Sequence, residues 1–233
     1  TQTRFGSIMN ASNATRQKLV IAVDGPSGSG KSSISREAAK RLGFNFLDTG
    51  AMYRMMTLFL SRKNVKTDEE IAIVFANDDI NFEISTNPTE IMFKLNGEDV
   101  SKIIRTEEVT RNVSFYSALQ LVRNFLLEKQ RFIINNSSHS IVVEGRDIGS
   151  VVVPNADLKI FITASEKARA ERRAKELNLD VAQVLNDQKI RDQKDSSRKI
   201  SPLIKLEDSM ELDTSHLSFD QSVEKFIELV KNV

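Results

Sequence analysis

The segment KLVIAVDGPSGSGKSSISREAAKRLG, residues 18–43, restricts the possible folds of this chain more than any other. An apolar run, Lys18–Val23, ends in Asp-Gly-Pro and reads as a buried strand. Gly25 to Ser32 then satisfy G-x-x-x-x-G-K-[ST]. Ile34, Ala38, Ala39 and Leu42 follow at helical spacing, with Gly43 placed to cap the helix C-terminally. Strand, glycine-rich loop and helix in this order cradle phosphate. Gly25, Gly28 and Gly30 let backbone amides approach phosphate oxygens closely, and the helix starting near Lys31 points its free amides and positive dipole end at the anion. In such a loop Lys31 reaches the β- and γ-phosphates and Ser32 holds Mg²⁺.

The remaining pattern predicts an α/β chain. Phe44–Leu47 reads as a second strand, and Met52, Met55, Met56, Phe59 and Leu60 form a helical stripe after a turn at Asp48-Thr49-Gly50, a stripe expected in the core. Residues 67–110 change character: Ile80, Phe82 and Ile84 alternate, as do Ile91, Phe93 and Leu95, with Asn96-Gly97 as a hairpin signal. A small inserted antiparallel meander is expected there. Helical patterning over 107–135 is followed by strands at 141–143 and 158–163, then helices near 165–177 and 180–193. A last helix begins near Ser218, whose Ser-x-x-Gln spacing resembles a capping box, with Phe219, Val223, Phe226, Ile227 and Val230 as its apolar face. Alternating strands and helices indicate a parallel sheet covered on both faces.

Composition narrows the function. The 33 basic and 32 acidic residues leave a net charge of +1, which argues against a surface that coats nucleic acid or anionic membrane. With no cysteine and only His139 and His216, disulfides are excluded and a zinc site is not expected. No apolar run approaches the roughly 18 residues of a membrane span. Residues 1–17 lack the apolar centre of a signal peptide and are expected to be a disordered tail; a cytoplasmic monomer is the expectation.

The pattern alone leaves the phosphate's destination open. A GTPase would carry an Asn-Lys-x-Asp segment, which is missing from the sequence. An ATPase or switch would want an acidic residue after a strand, and Glu144 offers one, although Gly145-Arg146-Asp147 follow it directly. Transfer to an anionic acceptor needs arginines outside the loop, because guanidinium binds phosphate through paired hydrogen bonds and stays charged. Arg54 and Arg146 both follow strands on the ligand edge of such a sheet. Arg169, Arg172 and Arg173 share helical spacing, and Arg191, Asp195 and Arg198 follow in IRDQKDSSR. These are either salt-bridged solvent faces or a lid that closes over the phosphates, excludes water and supplies charge to a loose transition state.

At this point the chain closely resembles the bacterial cytidylate kinases, the CMP/dCMP members of the nucleoside monophosphate kinase family. The resemblance rests on GPSGSGKS (25–32), DTGAMYR (48–54), EDVS and IRTEEV (98–109), EGRDIGSVVVPNADLKIF (144–161), ERRAKEL (171–177), RDQKDSSR (191–198), SPL (201–203) and LDTS (212–215). It implies a P-loop three-layer core (18–66 and 111–233) with a short helical lid at about 165–200. It also implies an acceptor-side subdomain at 67–110. ATP would contact Gly25, Pro26, Ser27, Gly28, Ser29, Gly30, Lys31, Ser32 and Ser33, with Arg172 and Arg173 as donor-side lid positions. Arg54 and Arg146 would hold the acceptor phosphate, beside Thr49 and Tyr53. Asp147, Arg123 and Ser114 would read cytosine; Asp195 would reach the sugar hydroxyl. Arg191 and Arg198 would be lid arginines, with Lys31 and Arg146 completing the catalytic charge. The implied reaction passes the γ-phosphoryl of ATP to CMP or dCMP, with Mg²⁺ and without a protein nucleophile.

Overall fold

The computed structural model describes residues 17–233. The tail expected at 1–17 therefore lies, apart from Gln17, outside the described residues. In chain order the elements are β1 (Val20–Asp24), α1 (Lys31–Leu42), β2 (Asn45–Asp48), α2 (Thr49–Arg62), α3 (Asp68–Asn77), β3 (Phe82–Ile84), β4 (Phe93–Leu95) and β5 (Glu98–Asp99). There follow α4 (Glu107–Tyr116), α5 (Gln120–Asn135), β6 (Ile141–Gly145), β7 (Leu158–Thr163), α6 (Glu166–Leu177), α7 (Val181–Ser196), β8 (Met210–Asp213) and α8 (Phe219–Lys231).

Five strands form one parallel sheet in the order β2-β6-β1-β7-β8, and β3-β4-β5 form a small antiparallel sheet. Side chains alternate between the faces of each central strand. Ala22, Ile141 and Val143 enter one core with Met52, Met55, Met56 and Leu126. Ile21, Val23 and Val142 enter the other with Ile34, Ala38, Val223 and Phe226. Burial on both faces explains why these strands are unbroken apolar runs rather than alternating ones. The register places Val23 opposite Glu144, Asp24 opposite Gly145, and Asp48 opposite Glu144. Three carboxylates thus gather at the carboxyl ends of three adjacent strands.

Several local expectations are corrected. Asp48-Thr49-Gly50 is a helix start: the Asp48 side chain caps α2 by accepting the Ala51 N–H at 2.8 Å. The helical stretch expected at 107–135 breaks at 117–119 into α4 and α5. The inserted segment opens with the helix α3, held by a capping box in which Thr67 and Glu70 satisfy each other's backbone N–H groups. Strand β8 went unrecognised because only Leu212 of its four residues is buried. Phe219 is 49% exposed, since it starts α8 before the buried face begins. Asn96 and Gly97 both have positive φ, as the Asn-Gly hairpin signal requires. Among the described residues, no helix is long and apolar enough to cross a membrane.

Candidate active site

The loop after β1 takes its shape from two glycines. A Cβ on Gly25 would lie 2.1 Å from the Ile162 carbonyl oxygen of β7, so no side chain fits there. Gly30 sits in the left-handed region as the N-cap of α1. Lys31, the first residue of α1, is buried with Nζ 3.2 Å from Glu144 Oε1. Ser32 Oγ donates to Glu144 Oε2 at 2.9 Å. Burial first, and then the positive charge of Arg146, push the Lys31 ammonium down to about 8, against the pull of Glu144. The Asp48 carboxyl is held above the usual range by burial and by the neighbouring Glu144. Two carboxylates and a hydroxyl at the loop's end form an oxygen donor set that suits a small hard cation. They are too few for an all-protein cage: no group of three or more His, Cys, Asp or Glu suited to a metal occurs among the described residues.

Of the other loop residues, Ser27 is clipped to helices α6 and α7. Its N–H donates to Asp192 at 3.2 Å, and its carbonyl accepts from Arg169 Nη1 at 2.7 Å. The Ser33 hydroxyl donates to the Gly30 carbonyl at 3.0 Å. The Ser29 carbonyl lies 3.4 Å from the Thr214 hydroxyl, which donates to it. Pro26 and Gly28 complete the turn, Gly28 with a positive φ.

Beyond Lys31 stands a group of guanidiniums. Arg54, in the second turn of α2, donates to the Ile104 carbonyl at 3.0 Å and to Thr110 Oγ1 at 2.9 Å. Arg146, just past β6, donates to Asp195 Oδ2 at 2.9 Å, and Arg198 pairs with the other oxygen of Asp195. Burial opposes the charge of Arg146, yet Asp195 and Glu144 hold its pKa above the ordinary value. Burial and then repulsion from Arg105 push Arg54 down to about 10. Burial and then Arg146 do the same to Arg191, whose Nε has no hydrogen-bond partner among the described residues. Positive groups that depress one another's pKa in this way favour an anion among them.

Next to this group lies a smaller pocket. Arg123 of α5 is buried; its Nη2 donates to Asp147 Oδ2 at 2.5 Å and its Nη1 to the Ser117 carbonyl at 2.7 Å. The break between α4 and α5 turns that carbonyl toward Arg123. The guanidinium lies 5.1 Å from the centre of the Tyr53 ring, a cation–π distance. Thr49 faces the strand end, donating to the Glu144 carbonyl at 2.8 Å. Ser114 is half-buried on α4, without a hydrogen bond to the Arg123–Asp147 pair.

Three arginines that share helical spacing on α6 go to three places. Arg169 is buried against Ser27 and Asp192; Arg172 donates to the Thr214 hydroxyl and carbonyl; Arg173 pairs with Glu176 at 2.8 Å. The charge of Arg173 also contributes to the lowered pKa of Arg54 and of Arg191. Sequence reasoning did not single out Asp24, Asp48 or Arg105 as site residues. An acidic residue ending each apolar strand was the available signal for the first two; the Arg105–Asp48 contact of 3.6 Å joins residues far apart in sequence and left none.

The family model described as cytidylate kinase matches residues 21–232. The chain belongs to the cytidylate kinase family. Cytidylate kinase of Rhodococcus jostii is 46% identical over 218 residues, covering 91% of this chain and 95% of the relative. That of Thermosipho melanesiensis is 44% identical over 216 residues, covering 91% and 96%. A crystal structure of an uncharacterised protein from Eubacterium ventriosum matches with a TM-score of 0.52 at 14% identity, covering 93% of this chain and all of that one, a likeness of fold alone.

Proposed function

We propose that this chain transfers the γ-phosphoryl group of ATP to CMP or dCMP, releasing ADP and CDP or dCDP. The observation that carries the reading is the adjacency of three parts: the phosphate loop with Lys31, the guanidiniums of Arg54, Arg146 and Arg191, and the pocket of Arg123 and Asp147. Two anions must be brought together in line, and their repulsion is offset by cations that remain charged at neutral pH. No protein nucleophile is required; catalysis is positioning plus electrostatic stabilisation.

The loop amides and Lys31 would hold the donor phosphates. Arg54 and Arg146 would fix the acceptor phosphate, with Asp195 orienting Arg146 and Arg198 and reaching the acceptor sugar. Asp147 would accept from the cytosine amino group and Arg123 would donate to the ring nitrogen or carbonyl. Uracil would present a carbonyl to Asp147 instead, leaving two buried acceptors facing each other. A magnesium ion would be held by Ser32, Glu144 and Asp48 together with the phosphates, where it would neutralise the charge of the donor's terminal oxygens. Helices α6 and α7 would act as the lid, and 67–110 as the acceptor-side unit.

The test is ADP release by purified protein with MgATP and CMP, dCMP, UMP, AMP, GMP or no acceptor. A CMP and dCMP response well above the blank is expected. Equal CMP and UMP rates would keep the kinase and remove the Asp147 discrimination. No acceptor dependence with ATP still bound would replace the kinase with a nucleotide-binding switch.

A further inference from the structure

Gln130 stands out among the buried polar groups: its side chain is 1% exposed, its amide makes no well-formed hydrogen bond among the described residues, and it lies close enough to the Tyr53 hydroxyl to oppose the burial that pushes that phenol up to about 12. A buried amide group left unsatisfied has given up its water without replacement, which is costly. The residue lines a cavity of about 40 Å³ together with Tyr53, Arg123, Asn124, Asp147 and Ser201. It lies two helical turns after Arg123 on the same face of α5. An internal site needs about 10–15 Å³ and two to four polar partners to hold a water molecule. This cavity has room for at least one, and Tyr53, Gln130, Arg123 and Asp147 are all among its lining residues.

We propose that Gln130 is a positioning residue for base selection: it anchors water in this cavity and, through it, holds Tyr53 and the Arg123–Asp147 pair in the geometry that distinguishes one pyrimidine edge from the other. The amide suits the task because it donates and accepts at once, so one side chain can complete a water's bonds whichever way the pair orients it. Without it Arg123 keeps its bond to the Ser117 carbonyl, but the Asp147 carboxylate loses the bridge on its inner side and can turn. The consequence falls on the acceptor base and leaves the donor phosphates, on the other side of Arg146, untouched. The inference rests on the CMP-kinase reading of the site.

The experiment measures kcat/KM for CMP and for UMP, and KM for ATP, in wild type, Gln130→Leu and Gln130→Asn, with thermal melts of each. For Gln130→Leu the CMP/UMP ratio is expected to fall about tenfold, mainly through KM for CMP, while KM for ATP changes less than twofold and the melting temperature does not drop. Gln130→Asn, which keeps one donor and one acceptor on a shorter stem, is expected to recover part of the ratio, and it alone serves as the test if the leucine variant does not fold. An unchanged CMP/UMP ratio in a folded variant would overturn the proposal, as would equal losses for CMP and ATP. Failure of the kinase reading has a different signature: wild type itself would show no CMP-dependent turnover.

Discussion

At the scale of single residues the site is governed by charges held out of water. Burial first, then the charges of Arg146 and Arg191, bring the Lys31 ammonium down to about 8 against the opposing pull of Glu144. Phosphates need that ammonium charged. Above pH 8 the free protein must therefore take up a proton as ATP binds, and affinity is expected to fall by up to about tenfold per pH unit. Calorimetry at pH 9 in two buffers of different ionisation enthalpy would read the uptake directly; no buffer dependence would mean that Lys31 is already fully charged. Lys31→Ala is expected to lower turnover on the order of 10³-fold, about 4 kcal/mol of transition-state stabilisation, with the fold retained. Asp147→Ala is expected to raise KM for CMP well over tenfold and to leave ATP affinity nearly unchanged. Equal effects on both nucleotides, measured by steady-state kinetics and ATP titration, would remove its base-reading role.

At the scale of elements, strand ends and helix starts position those charges. Asp24 ends β1 and accepts from the N–H groups of Ile148 and Gly149, each at 2.8 Å, so it holds the turn that carries Arg146 and Asp147. Burial raises its carboxyl to about 6, with the two backbone bonds opposing. Activity is expected to fall below pH 6 as the protonated carboxyl stops accepting both bonds. Stability should move the other way, because a folded-state pKa above the unfolded value favours the folded form at low pH and loses that contribution as pH rises through about 6. Wild type is thus expected to gain up to about 3 kcal/mol over Asp24→Asn between pH 7 and pH 4, read from melts of both proteins. These elements differ in how far the sequence foretells them. The phosphate loop and β6 are local and strongly patterned, so Lys31 and Arg146 follow from spacing. The split of α4 from α5 has no glycine or proline to announce it, and β8 has one buried residue in four. The separate destinations of Arg169, Arg172 and Arg173 depend on tertiary partners at Ser27, Thr214 and Glu176, which a helical repeat does not encode.

At the scale of the molecule, two cores on opposite faces of one sheet divide the labour. The face of α1 and α8 carries the loop helix, whereas the other face packs α2, α4 and α5 with the inserted sheet. Phe93, Leu95 and Val100 of that insert share their core with Met52 and Met55 of α2, the helix that presents Tyr53 and Arg54. Residues 67–110 are therefore expected to melt with α2 rather than by themselves, since their small sheet has too little apolar surface to be stable alone. Met55→Ala, at a fully buried position in this shared core, is expected to cost about 2–5 kcal/mol. If the inference holds, that loss should lower protection from hydrogen exchange at once in β4, in α2 and in the backbone around Arg54. Protection lost in α2 while β4 keeps its own would show the insert to be an independent unit. Helices α6 and α7 provide the contrast. They have a small core of Ala170, Ala174 and Val184 and are tied to the loop through the bonds of Arg169 and Asp192 to Ser27. Removing Arg169, whose side chain is buried against a partly exposed Asp192, is expected to cost about 2 kcal/mol locally and to raise exchange in α6 and α7 while β4 and α2 stay protected.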